Sequence, residues 1–109
     1  MFQKIEGVTY TMIYYRIKMS STPTSDVVVL SNKSTEFHRI INWERNRPPD
    51  MCRVNEIAED ITTRNANWVD GLILIWMKPD GTLECYDGIH RVYAARQVEH
   101  IVYLRVVYH

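Results

Sequence analysis

Apolar and polar residues change their period several times along the chain, and each change marks an expected element. Residues 8–19 (VTYTMIYYRIKM) are rich in Tyr, Val, Ile and Thr, side chains that suit a half-buried pleated strand. Ser20 to Asp26 has the composition of a loop, and Val27-Val28-Val29-Leu30 then reads as a short buried strand. Ser34 or Thr35 can cap a helix that begins near Glu36, with Phe37, Ile40 and Ile41 on one face and Pro48-Pro49 as its stop. Further on, Val54, Ile57, Ala58 and Ile61 recur at helical spacing while Glu56, Glu59 and Asp60 face elsewhere, which predicts an amphipathic helix. Residues 66–70 connect it to an apolar strand, Leu72 to Met77. Pro79-Asp80-Gly81 predicts a hairpin turn and Thr82 to Tyr86 the return strand. Asp87-Gly88 breaks that strand, and a short helix follows from about His90 to Val98. Ile101 to Tyr108, nearly all β-branched or aromatic, reads as the last strand. This order predicts an α+β fold, a small mixed β-sheet packed against helices.

Composition narrows the function classes. A folded chain of 109 residues buries roughly two thirds of its surface, enough for one core, so residues 1–109 read as a single domain. Hydrophobic residues at 46% exclude a wholly disordered chain. Lys+Arg 13 against Asp+Glu 13 excludes a generic polyanion binder. The basic excess is local: residues 33–53 carry +2, interleaved with Trp43, and residues 54–70 carry −3. Cys52 and Cys85 are the only cysteines, which rules out a disulfide framework and a four-cysteine zinc site but allows one bridge or two free thiols. His38, His90, His100 and His109 lack metal-ligand spacing, and there is no Gly-x-Ser-x-Gly elbow. No apolar run is long enough to span a membrane and the first twenty residues lack a signal-peptide pattern. The expected location is the cytoplasm, of a cell or of an infected host.

The segment with the most chemistry is Cys85-Tyr86-Asp87-Gly88-Ile89-His90-Arg91, between a strand and a helix. Gly88 permits positive φ and close approach of a ligand. The first N–H groups of the helix have no partner within it and sit at the positive end of its dipole. With the His90 imidazole and the Arg91 guanidinium, this suits phosphate or another anion. The plainer reading makes Asp87 an N-cap, Gly88 a turn residue and Arg91 an ion-pair partner.

Strand, turn, strand, Asp87-Gly88-Ile89-His90-Arg91, an Ala-rich helix (Val92-Tyr93-Ala94-Ala95-Arg96-Gln97) and a final strand together resemble the ParB/sulfiredoxin superfamily. The resemblance covers residues 53 to 109. Taking the family core back to Val27 leaves residues 1–26 as an N-terminal strand and loop extension. It implies a nucleotide phosphate at Asp87, Gly88, Ile89, His90 and Arg91, helped by Arg53 on the preceding helix. Ile89 stands where sulfiredoxins carry their catalytic cysteine, so sulfiredoxin chemistry is not expected. Glu56 and Asp60 stand where sulfiredoxins place residues that help to hold ATP. Two carboxylates beside a polyphosphate weaken nucleotide binding or make it dependent on Mg2+. Lys33-Ser34-Thr35-Glu36-Phe37-His38 is similar to the Pro-Thr-Glu segment of the family's free-serine kinases, which implies Glu36 as a general base for phosphoryl transfer. In the plainer reading, Glu36 complements the helix dipole.

The expected function is thus a nucleotide- or phosphate-binding domain, with phosphoryl transfer by Glu36 as the reaction it would carry. The alternative is a non-enzymatic module that contacts nucleic-acid backbone or a protein through the same loop. The N-terminal strand completes the sheet or pairs with a second copy, since an open edge invites association.

Overall fold

The computed structural model of the chain describes residues 26–109, together with the backbone of three short strands within residues 3–16. Two of these, β1 (Gln3–Ile5) and β2 (Val8–Tyr10), form an antiparallel pair. The third, β3 (Tyr14–Arg16), adds antiparallel to β4 (Asp26–Ser31) at one edge of the main sheet. The strand expected over 8–19 therefore falls on β2, β3 and positions outside the described residues. The expected loop lies outside them too, up to Asp26.

From β4 the chain runs through α1 (Thr35–His38), β5 (Ile40–Asn42), α2 (Met51–Arg64), β6 (Trp68–Met77), β7 (Leu83–Asp87), α3 (Ile89–Gln97) and β8 (Tyr103–Tyr108). The main sheet has the order β3-β4-β8-β6-β7-β5. β8 pairs parallel to β6 and β5 parallel to β7, and the other neighbours are antiparallel. The α+β class with a mixed sheet is as expected.

One face of the sheet carries Leu30, Ile40, Ile73, Ile75, Leu83, Cys85, Leu104 and Val106 into a core completed by the helices. From α2 come Val54, Ala58 and Ile61, the stripe that the sequence spacing predicts, and from α3 Ile89, Val92, Ala94 and Ala95. Asn65 ends α2 in the left-handed conformation (φ 49°), which asparagine tolerates better than most residues. The Lys78–Thr82 hairpin closes as expected, with Asp80 accepting from the Thr82 amide at 2.8 Å.

The first helix departs from expectation. Ser34 does cap it, accepting from the Phe37 amide at 3.2 Å, but the helix lasts four residues rather than running to Pro48. Phe37 is fully buried and anchors the turn in the core. Arg96 then takes the carbonyls of Phe37 and Ile40, and Ile40 to Asn42 leave the helix to pair with β7. β-Branched Ile40 and Ile41 lose little in a strand. Ile40 is buried and Ile41 is 47% exposed, the alternation of a strand rather than a shared helical face. The connection expected at 66–70 also shortens, because β6 already starts at Trp68.

Candidate anion-binding site

The chain turns from β7 into α3 at Gly88, whose φ of 98° and ψ of 15° lie in the left-handed region. A Cβ here would stand 2.8 Å from Ile73 Cδ1 and 3.4 Å from both Ile73 Cα and the Leu72 carbonyl oxygen. Glycine is thus required twice, by conformation and by the closeness of β6. The Cys85 thiol donates to the Asp87 carbonyl at 3.1 Å and steadies the turn from below. No side chain caps α3, so Asp87 is not the N-cap; it is exposed beside the turn. The first amides of a nine-residue helix therefore face outward with the positive end of its dipole.

A second helix begins at the same place. Asp50 caps α2 through Oδ1, accepting from Cys52 N at 3.0 Å and Arg53 N at 3.4 Å. Its own amide donates to His90 Nε2 at 3.0 Å. That bond makes Nε2 the acceptor, so the neutral imidazole carries its proton on Nδ1. The start of α2 and the start of α3 are tied together by one imidazole. Between them lies an open depression of about 330 Å³, lined by Asn46, Arg47, Pro48 and Asp50 on one side. Tyr86, Asp87, Gly88, Ile89 and His90 form the other side. Asn46 is fixed there by donating to the carbonyl of Cys85 and to Asn42 Oδ1, both at 3.0 Å. Burial, followed by the negative charge of Asp87 and by Cys85, raises the Tyr86 phenol above its ordinary range, which keeps it a neutral hydroxyl.

The structure separates the expected His–Arg pair. Successive residues on a helix point about 100° apart. His90 faces the depression at Asp50, whereas Arg91 lines a second depression of about 190 Å³ with Arg53, Asp60, Arg64, Trp68 and Asp70. Arg91 Nη1 donates to the Leu72 carbonyl at 2.9 Å, and Gly71 leaves the room for it: a Cβ there would come within 2.8 Å of that nitrogen. Arg53 is exposed and 3.7 Å from Glu56. In the same depression Asp60 and Arg64 pair at 2.9 Å, which satisfies one carboxylate internally. Ile89 is buried at 6% exposure and offers packing to the turn, not chemistry.

Glu36 lines neither depression. It lies in the first turn of α1, and its carboxylate accepts a hydrogen bond from the Tyr108 hydroxyl at the end of β8. Burial, reinforced by that carboxylate, pushes the Tyr108 phenol far up. Both cysteines are free, Cys52 exposed and Cys85 buried, which resolves the bridge left open by the sequence. Among the described residues no group of three or more His, Cys, Asp or Glu could hold a metal ion, and no helix is long and apolar enough to cross a membrane.

The sequence marks the Gly88 turn but not Arg47, Asn46 and Asp50, which complete the depression from the other side. Pro48-Pro49-Asp50 ahead of an amphipathic run was the available signal for a capped helix start. That this start meets α3 depends on tertiary packing. No protein-family model, no curated protein and no solved structure matches the chain.

Proposed function

We propose that the chain is a ParB/sulfiredoxin-like domain that binds a phosphate-bearing ligand, a nucleotide first of all, where α2 and α3 begin. The observation that carries this reading is the uncapped start of α3 at Gly88 opening into a depression shared with Arg47 and His90. An anion there would be held by the α3 amides, by His90 Nδ1–H and by the Arg47 guanidinium. The volume lies at the lower end of small-ligand sites. Asp50 and Asp87 lie at the same place and oppose a bare polyphosphate, so binding should strengthen when Mg2+ accompanies the nucleotide. The order of the last elements and the Asp87-Gly88-Ile89-His90-Arg91 loop support the family assignment. With isoleucine at position 89, sulfiredoxin chemistry is not part of the proposal.

Thermal denaturation with ADP, ATP and CTP, each with and without Mg2+, tests the reading. A ligand that binds only the folded chain stabilises it by about 2.7 kcal/mol at a hundredfold excess over Kd. The midpoint should rise with nucleotide and Mg2+, and Arg47→Ala should weaken the rise. A midpoint unmoved by every nucleotide contradicts the proposal. Phosphoryl transfer by Glu36 would need its Tyr108 contact exchanged for a substrate hydroxyl. In that case Glu36→Gln keeps nucleotide binding and loses turnover; unchanged turnover removes Glu36 from the mechanism.

A further inference from the structure

Pro48 and Pro49 have no backbone N–H, so Asp50 supplies the single main-chain donor of the residues that lead into α2. That donor goes to a side chain, His90 Nε2, at 3.0 Å. On one side of this segment, Asn42 holds the Arg47 carbonyl at 3.2 Å and Asn46 is bound to Cys85 and Asn42. On the other, the Asp50 carboxylate caps α2. Between these anchors Pro48 and Asp50 are exposed and Pro49 is half-buried, so the imidazole is what ties the segment to α3. The bodies of α2 and α3 are held separately, through core residues such as Val54, Ala58, Val92 and Ala95.

A ring nitrogen accepts an amide only while it carries no proton, and imidazole is the side chain whose charge ordinarily changes between pH 5 and 8. Once the ring is charged both nitrogens are donors, and Nε2–H would meet the Asp50 N–H head-on. Arg47 and Asp50 face this ring from the segment before α2, and Tyr86 and Asp87 face it from β7. The first turn of α2 brings the exposed Cys52 and also Arg53, which lines the other depression with Arg91 of α3 itself. Two helix starts oppose a positive charge here, whereas the Asp50 and Asp87 carboxylates offer it new partners. We infer that the His90–Asp50 hydrogen bond is a proton-operated latch. When His90 takes its second proton, the Pro48–Asp50 segment, one wall of the depression, is released while α2 and α3 stay packed. The imidazolium then competes for the carboxylate that caps α2, so the first turn of that helix loosens with the segment. The latch stands on this hydrogen bond and does not rest on an anion occupying the depression.

Amide and ring-nitrogen NMR of the labelled protein, from about pH 8 to about pH 5.5, tests the latch in a range where carboxylates ordinarily stay ionised. At the alkaline end the ring should carry its proton on Nδ1 and leave Nε2 bare and hydrogen-bonded. As the ring titrates, the Asp50 amide shift should follow the same curve. Protection of that amide from exchange, corrected for the intrinsic effect of pH, should fall by about three- to tenfold. Ala58, in the middle of α2, should keep its protection. His90→Gln offers a side-chain oxygen that can accept at every pH, so it should hold the Asp50 amide and flatten its titration. A ring that titrates while the Asp50 amide stays unmoved overturns the inference, and so does a ring that takes no second proton by the acid end. A His90→Gln protein with the wild-type response would overturn it too, by assigning that response to another group. Should the variant not fold, the ring nitrogens and the Asp50 amide of the wild type decide by themselves.

Discussion

Single residues hold this fold at points where no neighbour could substitute. Asn32 is 1% exposed; its amide donates to the carbonyls of Ala95, Val98 and His100, and its Oδ1 accepts from the Val102 amide at 3.0 Å. Asn32→Ala leaves the His100 carbonyl and the Val102 amide without this partner, whereas the Ala95 and Val98 carbonyls still accept from the Val98 amide and Lys33 Nζ, and denaturant unfolding should show a loss of about 1–3 kcal/mol. Gly88→Ala places a methyl 2.8 Å from Ile73 at a φ of 98°, and the same measurement should give a loss of about 1–3 kcal/mol. The glycine was legible in the sequence because a strand breaker before a helix has a mechanism. Asn32 was not, because its partners lie more than sixty residues away along the chain. Thiols offer a direct check of burial. Cys52 is exposed, whereas burial pushes Cys85 up to about 11. A thiol reagent near neutral pH should label Cys52 alone in the native protein and both cysteines in denaturant.

At the scale of elements, the outcome turns on what each segment meets. The α2 stripe of Val54, Ile57, Ala58 and Ile61 was readable because amphipathic spacing over several turns leaves little choice. The residues after Glu36 mislead for the opposite reason: Phe37, Ile40 and Ile41 fit a helix face locally, and only pairing with β7 and the Arg96 guanidinium decide for a strand. Arg96 itself sits between the Phe37 and Tyr93 rings, 5.6 and 5.3 Å from their centroids, so one side chain both ends α1 and packs it. The start of α2 depends on Asp50, and Asp50→Ala should cost about 1 kcal/mol of stability as the cap is lost. His90→Ala leaves that cap in place but frees the Asp50 amide, whose hydrogen exchange should quicken while the middle of α2 keeps its protection. Equal exchange in both proteins would mean that the imidazole does not join the two helix starts.

The whole molecule divides into a sheet face closed by α2 and α3 and a face that carries an aromatic row of Trp43, Trp76 and Tyr86, with the depression proposed to bind an anion at the end of the sheet where Tyr86 belongs to both. The mixed sheet is legible from the order of elements; the convergence of two helix starts is not, since β6 and β7 lie between them in the chain and only the His90–Asp50 hydrogen bond joins them in space. Alkaline stability follows from the closed face. Cys85 and Tyr108 both hold their protons more tightly folded than unfolded. The folded state then binds more protons than the unfolded one once pH passes about 9, so the stabilisation present below that pH is lost progressively toward about 11. Cys85→Ser should blunt the first part of that loss, read as the denaturation midpoint against pH. The central claim, that an anion binds where α2 and α3 begin, is tested most directly by amide chemical shifts of the labelled protein during titration with ADP and Mg2+. The account predicts saturable shifts concentrated at Gly88, Ile89, His90 and Asp50; unmoved amides at those positions, or shifts confined to Arg53, Arg64 and Arg91, would contradict it.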